Sequence, residues 1–310
     1  MNVPEDAMKI PYYPGCTLHE RARDFDTSAR ECARALGVEL AELPIWTCCG
    51  AVYPLVTDSV MDILAGVRNL AYAAREGDKL VTLCSFCYNV LKRSNRVMRE
   101  DAEKREKANL FLRADTEARE KIESYTHEDY EGQVEVLHYL EMLRDVVGYD
   151  KLAEAVTKKL EDLKVAPYYG CMLLRPAKEM NFDDPEQPEI FEAFLEALGC
   201  DVVDFPMKSE CCGGFQVVGD EDLALSCSQN VVTSALKRDA DMIVTTCPLC
   251  RYNLDRHQER MGENVKGFRK IPVVYFTQLL GIALGIDREH LDFTDNTVDP
   301  TTVLAERSLF

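Results

Sequence analysis

Apolar positions fall into two periods along this chain. Between 58 and 76, Val60, Ile63, Leu64, Val67 and Leu70 share one helical face. The short run at 79–83 is nearly all apolar and reads as a buried strand. Applied throughout the first half, the pattern predicts strands over 10–13, 38–43 and 79–83. Helices are predicted over about 20–36, over 58–76 and from about 87. The second half follows with strands over 164–169, 201–205 and 241–245, and helices over 189–198, 221–238 and 250–261. Segments 134–143 and 271–280 read as matching final strand–helix units. Such alternation predicts an α/β fold with a largely parallel sheet in each half, covered by helices.

The cysteines show that the two halves are copies. The first half carries Cys16, then the adjacent pair Cys48-Cys49, then Cys84 and Cys87 as a Cys-x-x-Cys. The second carries Cys171, the pair Cys211-Cys212, then Cys247 and Cys250 in the same arrangement. Cys49 and Cys84 are as far apart in the chain as Cys212 and Cys247. Flanking words agree: PYYPGC at 11–16 with PYYGC at 167–171, CCG at 48–50 with CCG at 211–213, and VTLCSFC at 81–87 with VTTCPLC at 244–250. Leu36-Gly37 and Leu198-Gly199 precede the two cysteine pairs. The expected architecture is therefore two halves related by a pseudo-twofold, 1–150 and 151–310. The stretch from Cys87 to the strand at 134 is longer than its counterpart from Cys250 to the strand at 271, and the surplus lies within 104–125. This charged insertion, about 100–126, reads as a helical extension with a solvated face. A docking surface there is the alternative. After Ile286 the chain is polar and poorly periodic, expected either to be loose or to wrap a partner.

Composition narrows the chemistry. A net charge of −18 (36 basic against 54 acidic residues) repels a phosphate backbone, which argues against nucleic-acid binding. No run of about eighteen apolar residues occurs, so no membrane span is expected. The start of the chain carries no basic segment followed by an apolar one, so no secretory signal is read and a cytoplasmic location is expected. Thirteen cysteines in 310 residues exceed ordinary usage. In a reducing compartment, clustered cysteines point to metal or redox chemistry.

Each motif cysteine lies at or just beyond the C-terminal end of a predicted strand, the edge where open α/β sheets bind ligands. Three loops per half could bring five thiolates to one place. Soft thiolates without histidine suit zinc or iron–sulfur clusters. A structural zinc uses four ligands, and so does an ordinary cubane cluster. The fifth thiol is therefore either spare or part of a larger cluster. Adjacent cysteines reach one small ion only with strain, which favours iron–sulfur; structural zinc and disulfides are the weaker alternatives. Cys32, Cys200 and Cys227 fall outside the motif and read as small buried apolar residues, Cys227 in a stripe with Leu223 and Val231.

These words together resemble the cysteine-rich CCG-domain family, most closely the catalytic subunit of methanogen heterodisulfide reductases. The carrying segments are PYYPGCTLHERA at 11–22, CCGA at 48–51, CSFCYNVLKRSN at 84–95, YYGCMLLRP at 168–176, ECCGGF at 210–215 and CPLCRYNLD at 247–255. The resemblance spans nearly the whole chain. It implies two noncubane 4Fe–4S clusters, one held by Cys16, Cys48, Cys49, Cys84 and Cys87, the other by Cys171, Cys211, Cys212, Cys247 and Cys250. It further implies two-electron reduction of the coenzyme M–coenzyme B mixed disulfide to two thiols. The chain lacks the C-x2-C-x2-C-x3-C-P run of a ferredoxin domain. The implied partners are thus a separate ferredoxin-like subunit and a flavin-containing subunit of the same complex, with a hydrogenase or formate dehydrogenase upstream.

The implied substrate is anionic, so an acidic protein must place local positive charge near the site. His19, Arg175 and Lys208 are the candidate substrate-binding residues; Arg21, Lys92 and Arg251 also lie near motif cysteines. The alternative functions are an iron–sulfur electron-transfer subunit of a hydroxy-acid or dicarboxylate oxidoreductase, and a zinc-stabilised scaffold.

Overall fold

The computed structural model describes residues 7–51, 60, 62–123 and 129–310, with the backbone alone for 116–123 and 264. The first half runs β1 (Met8–Tyr12), α1 (Gly15–Glu20), α2 (Arg23–Ala35), β2 (Val38–Glu42), α3 (Leu64–Glu76), β3 (Lys79–Thr82), α4 (Ser85–Glu100), α5 (Ala102–Glu123), β4 (Glu135–His138) and α6 (Tyr139–Glu141). A π-helical segment (Met142–Val147) and α7 (Tyr149–Ala155) lead into the second half. There follow β5 (Lys164–Tyr168), α8 (Ala177–Met180), α9 (Ile190–Ala197), β6 (Asp201–Val202), α10 (Glu221–Leu236), β7 (Met242–Thr245), α11 (Pro248–Arg256), α12 (Gln258–Asn264), β8 (Val273–Tyr275), α13 (Phe276–Leu284) and α14 (Thr301–Glu306).

The strands form two four-stranded parallel sheets of the same order, β2-β1-β3-β4 and β6-β5-β7-β8. Parallel sheets need both faces covered, which explains the apolar central strands: Met242–Thr245 is buried along its whole length. The order reverses between β1 and β3 in one sheet and between β5 and β7 in the other. Those are the places where loops open into a ligand crevice.

The halves are joined through shared core. Phe25 of α2 stacks on Tyr275 at 4.1 Å and meets Phe276 of α13 edge-on at 5.7 Å. Ser28 Oγ lies 2.7 Å from Thr277 Oγ1 in the same contact. On the other side of the junction, Asn89 of α4 donates to the carbonyls of Met172 and Arg175, each at 2.8 Å. All of these side chains are buried or nearly so. Truncating a fully buried phenylalanine such as Phe25 costs about 3–5 kcal/mol.

Several boundaries depart from the pattern. The expected helix 20–36 is α2, which starts at Arg23, and a short helix, α1, precedes it over Gly15–Glu20. The expected helix 250–261 starts earlier, at Pro248, and breaks at His257. The strand expected over 201–205 is regular only over Asp201–Val202, where it pairs with Lys164 and Val165 of β5. The start of the helix expected over 58–76 falls partly outside the described residues, and the described helix begins at Leu64. The insertion is helical, as α5, and Ala108, Asn109 and Leu112 are buried, while Leu110 and Phe111 stay exposed.

The polar tail is not loose: it packs on the second half. Phe293, Leu304 and Leu309 are buried. Asp255 on α11 accepts from the amides of Thr297 (2.6 Å) and Val298 (3.1 Å), and Asn296 donates to the Val273 carbonyl at 2.8 Å. Four irregularly spaced apolar anchors, Leu291, Phe293, Leu304 and Leu309, leave no periodic signal, so the tail reads as loop in sequence.

Candidate metal centre

All ten motif cysteines gather at the C-terminal edges of the two sheets. Cys84 and Cys247 are the N-cap residues of α4 and α11, and Cys87 and Cys250 sit in the first turns of those helices. The Cys-x-x-Cys spacing puts both thiols on the same side of a helix start, where the positive end of the helix dipole favours thiolate. Cys16 lies in α1 and Cys171 in the equivalent loop after β5. The pairs Cys48-Cys49 and Cys211-Cys212 sit in the loops after β2 and β6.

The thiols pair in a pattern that repeats between the halves. Cys16 Sγ is 3.6 Å from Cys48 Sγ, and the equivalent thiols Cys171 and Cys211 interact electrostatically. Cys49 Sγ is 3.5 Å from Cys87 Sγ, and Cys212 Sγ is 3.5 Å from Cys250 Sγ. The remaining two, Cys84 and Cys247, interact electrostatically with each other across the junction. Beside them Ser85 Oγ lies 2.8 Å from Thr246 Oγ1. Interactions with Cys247 and Cys87 hold the Cys84 thiol well below its ordinary pKa, and those with Cys48 and Cys87 do the same for Cys49. Cys211 is lowered to about 6 by its interaction with Cys171 and by the Gly213 and Gly214 amides.

Buried donors hold the backbone just before the motif cysteines, and the sequence reading missed them. The Tyr13 hydroxyl donates to the Thr47 carbonyl at 2.8 Å, one residue before Cys48. The Tyr168 hydroxyl donates to the Glu210 carbonyl at 2.7 Å, one residue before Cys211. Burial, with the thiols second, pushes both phenols up, so they stay neutral donors. Asn69 clamps Thr47 from the other side, taking its amide at 2.8 Å and donating to its carbonyl at 2.9 Å. His138 Nε2 lies 2.8 Å from the Leu83 carbonyl, one residue before Cys84, while Nδ1 accepts from the Leu140 amide. The signal for the tyrosines was the PYY word shared by both halves; nothing in the sequence marked Asn69 or His138.

Gly15 and Gly170 complete the equivalence. Both have positive φ, +72° and +66°. A Cβ would stand 2.8 Å from Cys87 Sγ at Gly15 and 3.3 Å from Cys250 Sγ at Gly170. Backbone is thus brought against sulfur in both halves where no side chain fits.

A cleft of about 610 Å³ opens beside the first set, lined by Cys16, Cys49, Cys84 and Cys87 on one wall. Phe215, Val218, Leu249 and Tyr252 of the second half form much of the opposite wall. A much smaller cavity, about 10 Å³, touches Cys171, Cys211, Cys212, Cys247 and Cys250. Phe86 and Phe215, with rings 5.0 Å apart, border both.

The three candidate substrate contacts do not line the cleft. His19 is exposed, 3.2 Å from Glu20. Arg175 donates to the Ser209 and Pro185 carbonyls and pairs with Glu186 at 3.0 Å. Lys208 pairs with Glu192 at 2.7 Å and Asp204 at 3.2 Å. Lys92 is likewise turned away, toward Tyr88 and Glu141. Nearness in sequence placed them near cysteines, but their side chains point into loop carbonyls and carboxylates. Among the described residues, the charged ones lining the cleft are Arg21, Arg251, Arg256, Asp255 and Asp295.

Outside the motif, Cys32 and Cys200 are buried as expected. Cys227 is only half-buried and Leu223 is exposed. The buried face of α10 is instead Ala224, Leu225, Ser228, Val231, Val232 and Ala235. Ser228 and Asn253 both donate to the Cys212 carbonyl, at 2.9 and 3.1 Å.

The donor set fits a multi-iron group better than a single ion. Among the described residues, no three His, Cys, Asp or Glu side chains converge on one metal-sized point. The thiols lie in close pairs along each sheet edge, five soft donors per half, a number that exceeds the four ligands of a structural zinc.

The cysteine-rich domain model matches twice, at residues 10–92 and 165–255, on the two halves that carry the repeated thiol sets. The chain belongs to the cysteine-rich CCG-domain family. Members of that family resemble it from end to end. The 8-methylmenaquinol:fumarate reductase membrane anchor subunit of Wolinella succinogenes is 34% identical over 94% of this chain and 98% of its own. The B-type subunit of the ferredoxin:CoB-CoM heterodisulfide reductase of Methanosarcina mazei is 31% identical over 96% of both chains. A heterodisulfide reductase B-subunit-like protein of Archaeoglobus profundus is 29% identical over 91% of this chain and 92% of its own. A solved hypothetical protein from Helicobacter pylori shares the fold, with TM-score 0.71 at 14% identity over 95% of this chain and 52% of its own. Among the described residues no helix is long and apolar enough to cross a membrane.

Proposed function

We propose that this CCG-family chain is the disulfide-reducing subunit of an iron–sulfur oxidoreductase of the heterodisulfide reductase type. The observation that carries the reading is the meeting of two equivalent five-thiol sets at Cys84 and Cys247, beside a cleft to which both halves contribute. Cys16, Cys48, Cys49, Cys84 and Cys87 would hold one noncubane 4Fe–4S cluster. Cys171, Cys211, Cys212, Cys247 and Cys250 would hold the other. The domain units are 1–150 and 151–310.

The reaction is RSSR′ + 2e⁻ + 2H⁺ → RSH + R′SH: the S–S bond breaks, and each sulfur gains an electron and a proton. When bound, the clusters supply the electrons one at a time. The chain's own residues do the rest. The starts of α4 and α11 stabilise the thiolate ligands. Tyr13, Tyr168 and His138 hold the loops that present them. Phe215, Val218 and Leu249 give the cleft an apolar lining beside the thiols. Coenzyme M–coenzyme B disulfide is the specific substrate of this reading. Electrons would arrive through a ferredoxin-like subunit from a flavin-containing one, with a hydrogenase or formate dehydrogenase upstream, in the cytoplasm.

Protein purified without oxygen and assayed for iron and sulfide should carry about eight of each per chain. It should also reduce the heterodisulfide with an artificial one-electron donor. Zinc in place of iron, or full iron with no disulfide turnover, would sink the reading.

The apolar wall and the name of the Wolinella relative support a second reading, an electron-transfer subunit that takes electrons from a quinol for a dicarboxylate reductase. Cluster reduction by a quinol analogue, without any response to disulfides, distinguishes it.

A further inference from the structure

Arg251 follows Cys250 directly and is the buried cation of the cleft; its side chain is 9% exposed. Its guanidinium lies 5.2 Å over the Tyr275 ring and donates to Asn296 Oδ1 of the tail at 2.9 Å. The nearest carboxylate, Asp24, is 3.9 Å away, and neither of its oxygens accepts a hydrogen bond from the described side chains. Arg251 Nε has no hydrogen-bond partner either. A buried guanidinium without a hydrogen-bonded counter-ion is costly, and its fork geometry suits bidentate oxyanions. Asp255, the other nearby carboxylate, is taken up by the Thr297 and Val298 amides. Arg21 and Arg256 line the same cleft, so its described lining carries three arginines against Asp255 and Asp295 in a strongly acidic protein.

We infer that Arg251, held by Tyr275 and by Asn296 of the C-terminal tail, anchors the anionic group — sulfonate, phosphate or carboxylate — of the molecule that enters the cleft. This rests on the disulfide-reductase reading for the identity of that molecule, but not for the anion site itself. Tyr275 and Asn296 are positioning residues: they hold the guanidinium at the wall of the cleft. The equivalent position in the first half is Tyr88, one residue after Cys87, so the anchor exists on one side of the pseudo-twofold only. An asymmetric disulfide would thereby be bound in one orientation.

The test uses the cluster-loaded protein, with sulfate and 2-mercaptoethanesulfonate as probes and 2-mercaptoethanol as the uncharged control, by calorimetry. Arg251→Gln should weaken both anions at least tenfold, corresponding to one lost charge-assisted contact, and leave the control unchanged. Arg251→Lys should recover part of the loss, and Asn296→Ala should give a smaller one. Iron content equal to wild type shows that each variant still folds and holds its clusters. Equal anion affinity in wild type and Arg251→Gln overturns the anchor and leaves the disulfide reading standing. Anions bound and lost as expected, with no turnover of any disulfide, keep the anchor and overturn the reading. No anion binding by the wild type overturns the anchor.

Discussion

The thiols of Cys84 and Cys247 interact electrostatically across the junction of the two halves. They are the one thiol pair whose members belong to different sets. Each is the N-cap of a helix starting at the junction, so the pseudo-twofold passes between two helix starts. Whatever the two sets bind is therefore brought side by side. Cys84→Ser should lower iron to about half and also shift the spectroscopic signature of the remaining, second-half cluster. A distal ligand variant, Cys16→Ser, should perturb only the first. Identical second-half spectra in both variants would show that the sets do not communicate.

Gly15 admits no side chain. Alanine there adds a Cβ 2.8 Å from Cys87 Sγ and a positive φ, which alone costs about 1–2 kcal/mol for an L-residue. At Gly170 the approach is 3.3 Å, so the same change is milder. Gly15→Ala should lose more iron than Gly170→Ala, measured as iron per chain after identical purification.

The tyrosine hydroxyls hold loops, not electrons. Tyr168→Phe and Tyr13→Phe each remove one hydrogen bond, worth about 0.5–1.5 kcal/mol. The Tyr13 change should sit at the low end, because Asn69 still donates to the Thr47 carbonyl. Both variants should release iron to a chelator faster than wild type, Tyr168→Phe more so. Unchanged release in both would refute the bracing role.

Two buried groups oppose one another in acid. Burial raises Asp24 to about 6 from 3.8, although Arg251 works against it. The folded state therefore holds that proton more tightly, and Asp24 costs stability as pH rises from about 4 to about 6. Burial lowers His138 to about 4 from 6.5, so stability is lost as pH falls through that window. The slopes have opposite signs and largely offset. Asp24→Asn should make the protein lose stability more steeply on acidification, and His138→Gln should do the reverse, each by up to about 3 kcal/mol. Denaturation midpoints measured from about pH 4 to 8 check this; parallel profiles for wild type and both variants would rule it out.

The tail is part of the second half's core, not an appendage. Leu304 is fully buried, and replacing it by alanine should cost about 2–5 kcal/mol. The same variant should loosen Asn296 and weaken the anion site, which separates it from a distant core cavity of equal cost.

The sequence alone determined the repeat, the α/β alternation and the ten thiols, because these are local or periodic. Helix stripes such as Val60–Leu70 spacing, buried runs such as 79–83, and Cys-x-x-Cys at a helix start are written in neighbouring residues. What it could not determine is which charges face the cleft. His19, Arg175 and Lys208 lie near cysteines in sequence, yet their side chains turn to Glu20, to the Ser209 carbonyl and to Glu192. Arg251 faces the cleft because Tyr275 and the distant Asn296 hold it there. Likewise Tyr13, Asn69 and Thr47 meet only when three separate elements pack. Side-chain direction depends on partners far along the chain, and only the tertiary packing of the two halves brings those partners together.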